Sequence, residues 1–174
     1  MNVDTEYFKS HILPLKNKLF RKALSITESV VEAEDVVQEV MMKLWSMRAN
    51  WTSIDNMEVY TMVLAKNTAL DKVKQATCRS GSVEMDGAIS VASDSPHPQE
   101  NMERAERIAL VWKVIRRLPE KLQELIRLRE IEEYSYRDIA GEMNITEAQV
   151  KVNLFRARQK MKEIYLELNT HDGY

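Results

Sequence analysis

The stretch Ser135–Lys162 constrains the fold more than any other part of the chain. Two short apolar stripes at helical spacing lie on either side of a tight turn. Ser135 can cap the first helix, and Thr146 with Gln149 forms a capping box for the second. Between them, Asn144 occupies the position at which the turn needs a positive φ, which Asn tolerates better than most residues. The pattern predicts a helix-turn-helix.

The second helix of this motif is basic. From Gln149 to Lys162 it carries five cations and no acid: Lys151, Arg156, Arg158, Lys160 and Lys162. Amides and cations on one helix suit the major groove of DNA, where they bond base edges and phosphates. The alternative is a surface helix with a solvated basic face. The two caps, the turn residue and the small Ala140 together favour the interpretation as a DNA-reading helix.

Composition indicates a soluble helical protein. The chain has 174 residues, of which 44% are hydrophobic and 30% charged, and only four Gly and four Pro interrupt it. We therefore expect an all-α fold with two small helical domains joined by a flexible linker. The net charge of −2 argues against a protein that coats nucleic acid non-specifically. Cys78, the single cysteine, excludes an intramolecular disulfide, and the absence of a spanning apolar run predicts a cytoplasmic protein without membrane insertion.

The first half of the chain predicts three helices. The first covers Thr5 to about Ser25 with a kink at Pro14, and the second runs from a cap at Ser29 to about Met47. The third begins at a cap on Asp55 or Asn56 and ends near Ala76. Its expected core stripe is Val59, Met62, Val63, Leu70 and Val73.

Two polar faces and one aromatic residue in this half are candidate binding elements. Helical spacing places four side chains on one face: Asp35, Gln38, Glu39 and Met42. This face suits a basic partner helix, and the alternative is a face that is only solvated. On the third helix, Asn67, Asp71 and Lys74 share a stripe near Lys66, and this mixture suits base edges and phosphates but also plain solvent. Trp51, in the polar loop Ser46–Asn56, either enters the core or stacks on an unpaired base.

The second half predicts a linker followed by further helices. Residues 81–101 lose all periodicity and contain acids but no Lys or Arg, which is typical of a linker. Helices follow over Met102–Leu118 and Glu120–Glu132, with Pro119 as a first helical residue. The expected domains are 1–79, a linker at 80–103, and 104–174. The three His are isolated and no catalytic constellation is present, so we expect no metal site, no cofactor and no enzyme activity.

Three segments, in this order, carry a family resemblance: VEAEDVVQEVMMKLW at Val31–Trp45, VLAKNTALDKVKQ at Val63–Gln75, and the long segment Leu118–Lys162. They resemble regions 2.2, 2.4 and 4 of bacterial RNA polymerase sigma factors. The resemblance is to the extracytoplasmic-function group (group IV) of the sigma-70 family, which keeps only regions 2 and 4, and it covers nearly the whole chain. It implies a protein that binds core RNA polymerase and directs promoter recognition and transcription initiation.

The resemblance also implies residue roles. The face formed by Asp35, Gln38, Glu39 and Met42 would dock on the β′ clamp helices, and the β flap would be a second polymerase contact. Minus-ten DNA would be held by Trp51, Lys66, Asn67, Asp71 and Lys74, with the loop around Trp51 receiving a flipped base. The minus-thirty-five element would be bound by Gln149, Lys151, Val152, Asn153, Arg156, Arg158 and Lys160. The linker would pass near the RNA exit channel, and an anti-sigma factor is expected as a further partner.

The sequence departs from the family pattern at several positions. Asn144 replaces the common Gly of the turn, and Val152 with Asn153 stands where many members have Ser-Arg. Lys66 and Lys74 stand where Arg is frequent, so fewer bidentate contacts are expected. Two alternative functions stay open at this point: a two-domain regulator that binds operators as a dimer, and a helical interaction module that binds no nucleic acid.

Overall fold

The computed structural model describes residues 2–80 and 98–171, which contain helices and turns and no strand. The chain divides into two compact units, Met1–Ser90 and Val91–Tyr174. This agrees with the all-α class expected from composition. The α-helices are α1 (Val3–Tyr7), α2 (Lys16–Thr27), α3 (Val30–Ser46), α4 (Met57–Ser80), α5 (Pro98–Arg116), α6 (Glu120–Ile126), α7 (Tyr136–Met143) and α8 (Glu147–His171).

The first unit is a bundle in which α2, α3 and α4 pack against one another. The predicted kink at Pro14 is confirmed, because a π-helical turn (Phe8–Ile12) and a 3-10 turn (Leu13–Leu15) separate α1 from α2. Proline removes one backbone donor and crowds the preceding turn, so a regular helix cannot continue through it. The regular α-helical pattern is interrupted there, and Ile12 lies in the core.

The capping residues start the next two helices at the predicted positions. The Ser29 hydroxyl accepts the Glu32 N–H at 3.3 Å and begins α3. The Asn56 side-chain oxygen accepts the Val59 N–H at 3.1 Å and begins α4. Each bond satisfies a backbone donor that has no partner within its own helix. The helix starts are therefore decided locally, by residues visible in the sequence.

The predicted core stripe of α4 is wrong except for Met62, which is partly buried against the core. Val59 and Val63 are 58% and 52% exposed, and Leu70 and Val73 are also exposed. The buried face consists of smaller side chains and one methionine: Met57, Thr61, Ala65, Thr68 and Ala69.

Hydrogen bonding explains how the threonines replace valines in the core. The Thr61 hydroxyl donates to the Met57 carbonyl at 2.6 Å, and the Thr68 hydroxyl donates to the Leu64 carbonyl at 2.8 Å. A threonine satisfied by its own helix can be buried without the cost of a lost hydrogen bond. Small residues on this face let α4 pack closely on α2 and α3, and the larger apolar residues are left facing solvent.

The second unit is built from α5 to α8 around a core that includes Trp112, Ile115, Leu125, Ile139 and Leu154. Its first helix begins at Pro98, ahead of the predicted start at Met102. Pro119 is the N-cap of α6 rather than its first helical residue, with an extended ψ of 144°. The rest of the predicted linker, residues 81–97, lies outside the described residues.

The helix-turn-helix is confirmed in its local detail. The Ser135 hydroxyl accepts the Asp138 N–H at 3.1 Å and starts α7. Asn144 adopts φ 54° and ψ 48°, the left-handed conformation that the turn was expected to need. Thr146 and Gln149 bond each other's backbone N–H groups reciprocally, at 3.1 and 2.9 Å. The helices α7 and α8 contact each other, and Ile139, Val150, Leu154 and Ala157 are buried.

Candidate polymerase and nucleic-acid interfaces

One face of α3 is free of the bundle core and carries the predicted docking residues. Val36, Val37 and Val40 are buried on the opposite side, which leaves Asp35, Gln38 and Met42 exposed. Met42 is 67% exposed in the middle of an otherwise polar face. An exposed Met between acids is a flexible apolar contact that electrostatics can guide onto a basic partner.

Glu39, the fourth residue of this face, is partly occupied by its own chain. One carboxylate oxygen lies 3.1 Å from the Lys43 ammonium, and the other lies 3.7 Å from the Lys72 ammonium of α4. The pair with Lys72 connects α3 to α4, and both pairs offset the Glu39 charge. Of the two acids on this face, Asp35 is exposed and Glu39 is only partly exposed.

The loop between α3 and α4 folds as a 3-10 turn, Arg48–Ser53, whose aromatic residue points inward. Trp51 is only 5% exposed, and its indole N–H donates to the Leu44 carbonyl at 3.0 Å. Tyr7 stacks on it with the ring centroids 5.1 Å apart, and Phe8 and Trp45 lie near it as well. Of the two roles considered for Trp51, this geometry matches the core role, and a base could reach the ring only after this aromatic cluster opened.

The outer face of α4 brings together all four remaining minus-ten candidates. Lys66, Asn67, Asp71 and Lys74 are exposed, and the last three follow one another at i, i+4 and i+7. The same solvent-facing side holds the residues that the sequence had assigned to the core: Val59, Val63, Leu70 and Val73. Exposed apolar groups beside amide, carboxylate and cationic groups form a surface that can contact both bases and phosphates.

The predicted minus-thirty-five residues divide between two sides of α8. Gln149, Asn153, Arg156 and Lys160 follow one another at i, i+4, i+7 and i+11, with the exposed Val152 beside them. This stripe, which we call the groove stripe, contains two amides and two cations. The Gln149 side-chain oxygen is already used in the capping bond to the Thr146 N–H.

Lys151 and Arg158 lie on the other side of α8, next to Tyr136. The Lys151 ammonium is 6.0 Å from the centroid of the Tyr136 ring. The Arg158 Nε and Nη2 donate to one carboxylate oxygen of Glu130, at 3.0 and 2.5 Å. That hydrogen bond is the largest cause of the raised pKa of Arg158, and burial partly opposes it.

Sequence reasoning missed Glu130 and Tyr136. Glu130 belongs to a π-helical turn, Arg127–Ile131, and pairs with a residue 28 positions later. Tyr136 also receives the Arg129 guanidinium over its ring at 4.8 Å. The pattern i, i+7 between Lys151 and Arg158 was available as a signal that these two cations share a side. That these two cations lie next to Tyr136 and Glu130 could be learned only from the tertiary structure.

Each of the two units matches a model of the Sigma-70 family. Residues 12–78 match Sigma-70 region 2, and residues 108–161 match Sigma-70 region 4. Among the described residues, no helix has the length and apolar character that crossing a membrane requires.

Curated relatives match over most of the chain. The ECF RNA polymerase sigma factor SigM of Bacillus subtilis is 30% identical over 156 residues, which cover 86% of this chain and 89% of that protein. The RNA polymerase sigma-H factor of Pseudomonas aeruginosa is 26% identical over 163 residues, with 90% and 84% covered. A structure of the sigma factor RpoE with the anti-sigma factor NepR from Bartonella quintana has a TM-score of 0.53 at 21% identity, covering 91% of this chain and 96% of that one.

Proposed function

The chain belongs to the sigma-70 family of RNA polymerase sigma factors, in its extracytoplasmic-function group, and from this premise we propose how its two units divide the work of promoter recognition. As a sigma factor it binds core RNA polymerase and directs initiation at promoters. The first unit would bind the polymerase and the minus-ten element, and the second would bind the minus-thirty-five element. Each assignment rests on a particular exposed face.

The α3 face would dock on the clamp helices of the β′ subunit. Asp35 and Gln38 offer polar contacts, and Met42 offers apolar area that is exposed in the free protein. Glu39 would contribute less than Asp35, because Lys43 and Lys72 already compete for its carboxylate. The β flap is expected as a second contact on the polymerase.

The outer face of α4 would hold the minus-ten element, and this is the observation that supports the proposal most strongly. A helix in a small soluble domain normally buries its larger apolar residues, yet Val59 and Val63 face solvent next to Asn67 and Lys66. A surface of this kind suits unstacked bases and thymine methyl groups, while the cations hold the backbone. Contact with bases thus accounts for the exposed apolar groups, which a face that is only solvated would not need.

The groove stripe of α8 would enter the major groove at the minus-thirty-five element. Gln149, Asn153 and Arg156 are suited to base edges, and Lys160 is suited to a phosphate. Lys151 and Arg158, on the other side of α8, would contact the phosphate backbone. The net charge of −2 implies weak binding to bulk DNA by the free chain. Attachment to the polymerase would then supply the effective concentration that promoter binding needs.

Other parts of the expected function follow from the same premise. The protein would act in the cytoplasm as an initiation factor without a reaction of its own. An anti-sigma factor is an expected partner, as NepR is for the Bartonella quintana protein. The alternative of a dimeric operator-binding regulator is not favoured, because residues 12–78 match Sigma-70 region 2.

Transcription from a randomised promoter library tests this proposal. Purified core polymerase is supplied with the full chain, and the transcripts are sequenced to recover the preferred minus-ten and minus-thirty-five elements. Replacing Asn67→Ala should relax the minus-ten preference, because a lost base contact removes about 1–3 kcal/mol of discrimination. Asn17→Ala, an exposed asparagine on α2 outside the proposed faces, is the matched control and should leave the preference unchanged.

Two results would contradict the proposal. Core polymerase that initiates at the same sites without the protein would remove the function as a whole. Equal effects of Asn67→Ala and Asn17→Ala would remove the role of the α4 outer face. A gel shift with promoter DNA supports the same test, since the free chain should bind poorly and the holoenzyme well.

A further inference from the structure

Arg158, which the proposed function assigns to the DNA backbone, is paired with a carboxylate of its own chain. Two of its N–H groups donate to a single oxygen of Glu130, and both side chains are about half exposed. A phosphate oxygen is bonded by the same guanidinium fork. Glu130 therefore occupies the donors that a phosphate would use.

Two further cations, Arg129 and Lys151, lie at the Tyr136 ring near this pair. The Tyr136 ring lies beneath the Arg129 guanidinium at 4.8 Å and near the Lys151 ammonium at 6.0 Å. Tyr136 also contributes to the raised pKa of Arg158. Three cations thus gather around one aromatic ring, and Glu130 offsets one of their charges. Removing that offset would increase the positive potential of the whole cluster.

The exchange of partners does not involve a proton. Arg158 stays charged throughout the physiological range, since even an unperturbed guanidinium does. The ion pair is also exposed, so its net contribution to stability is small and its opening is easy. A phosphate that approaches the cluster can therefore displace the carboxylate without disturbing the fold.

We propose that Glu130 is an internal competitor for Arg158, which lowers the DNA affinity of the free protein by occupying a phosphate-binding side chain. This inference rests on the proposed function, because it assigns Arg158 to the DNA backbone. The inference assigns to Glu130 a role in setting the affinity of the second unit for DNA when the protein is not bound to polymerase. It also offers a structural source, beyond net charge, for weak binding by the free chain.

The test measures binding of the full chain to random-sequence duplex DNA by fluorescence anisotropy. Glu130→Gln should raise the affinity about two- to fivefold at low salt, the range expected for loss of one exposed ion pair. The slope of log affinity against log salt should change by less than about 0.9, the value for one phosphate contact, because both proteins make the same contact once the carboxylate is displaced. Glu106→Gln removes the same charge from an exposed position on α5, away from the proposed DNA-binding faces, and is the control for net charge.

A double-mutant cycle isolates the pair. In an Arg158→Gln background, adding Glu130→Gln should have no greater effect than adding Glu106→Gln. An equal gain from Glu130→Gln in both backgrounds would overturn the inference, because it would reduce Glu130 to a distant repulsive charge. A loss of affinity in Glu130→Gln would also overturn it, because it would make Glu130 a residue that positions Arg158.

The same preparations separate this inference from the proposed function. Promoter-dependent transcription by the wild-type chain with core polymerase, together with a cycle that shows no coupling, would reject only the role of Glu130. Failure of the wild-type chain to support transcription would reject the function. Thermal unfolding of each variant, which should match the wild type, excludes a folding defect as the cause of any change.

Discussion

Replacing Met42 with alanine should weaken polymerase binding without affecting the fold. Met42 is 67% exposed in the free chain, so the substitution removes few contacts within the bundle. Surface changes of this kind usually alter stability by less than about 0.5 kcal/mol. If docking buries the exposed part of the side chain, the free energy at stake follows from its area.

Full burial of a methionine side chain contributes about 1.5–3 kcal/mol, and two thirds of that is about 1–2 kcal/mol. Met42→Ala should therefore raise the dissociation constant for core polymerase by about five- to thirtyfold. The assay is titration of the labelled full chain with core polymerase, with the fluorescence anisotropy of the label as readout. Thermal unfolding of the free variant is measured alongside.

Leu166→Ala is the matched control. Leu166 is a large apolar residue that is 53% exposed on α8, outside every contact proposed for the chain. It should leave the dissociation constant unchanged. An equal loss of affinity in the two variants would mean that exposed apolar area contributes to binding wherever it lies on the chain. An unchanged affinity in Met42→Ala would contradict α3 as the docking face.

Three further predictions concern single features. Asp35→Lys and Glu39→Lys should both weaken polymerase binding. Only Glu39→Lys should lower the unfolding temperature, because it destroys two exposed ion pairs that together contribute about 0.5–2 kcal/mol. Equal unfolding temperatures for the two variants would contradict the structural role of Glu39. Trp51→Phe should lower the free energy of unfolding in urea by about 1–2 kcal/mol, because a buried carbonyl loses its indole donor, whereas an unchanged value would contradict the core placement. Asn144→Ala should cost about 1 kcal/mol in the same assay and Asn144→Gly should not, because only the left-handed conformation distinguishes them.

Local features of the fold could be predicted from the sequence. The caps at Ser29, Ser135 and Thr146 and the left-handed turn at Asn144 each depend on a side chain and a backbone group a few residues away. Their geometry is decided before the helices pack. The helix-turn-helix, which consists mostly of such features, was therefore predicted correctly.

Features that depend on packing between helices were not predictable in the same way. The valines of α4 have helical spacing and high hydrophobicity, but the partner helices leave room only for residues such as Thr61 and Ala65. The sequence allowed Trp51 to be buried or exposed. Its burial depends on contacts with Tyr7 and Phe8, which are more than 40 positions earlier in the sequence. Periodicity identifies a face of a helix but does not say which face the bundle buries.

The site was predictable to a similar degree. Spacing alone placed Asn67, Asp71 and Lys74 on one face, and the structure has all three there. Spacing could not reveal that Glu130 holds Arg158, since the two are separated by a turn and a helix. Long-range ion pairs leave no periodic signal in a sequence.

The capping bond of Gln149 has a consequence for which bases α8 would prefer. Because its amide oxygen already accepts the Thr146 N–H, the side chain is restrained before it meets DNA, and little rotational entropy is left to lose. The cap engages one of the two lone pairs of that oxygen and leaves both donors of the NH2 group for other partners. We therefore expect it to favour acceptors in the major groove, namely guanine N7 and O6, adenine N7 and thymine O4, over the amino groups of adenine and cytosine.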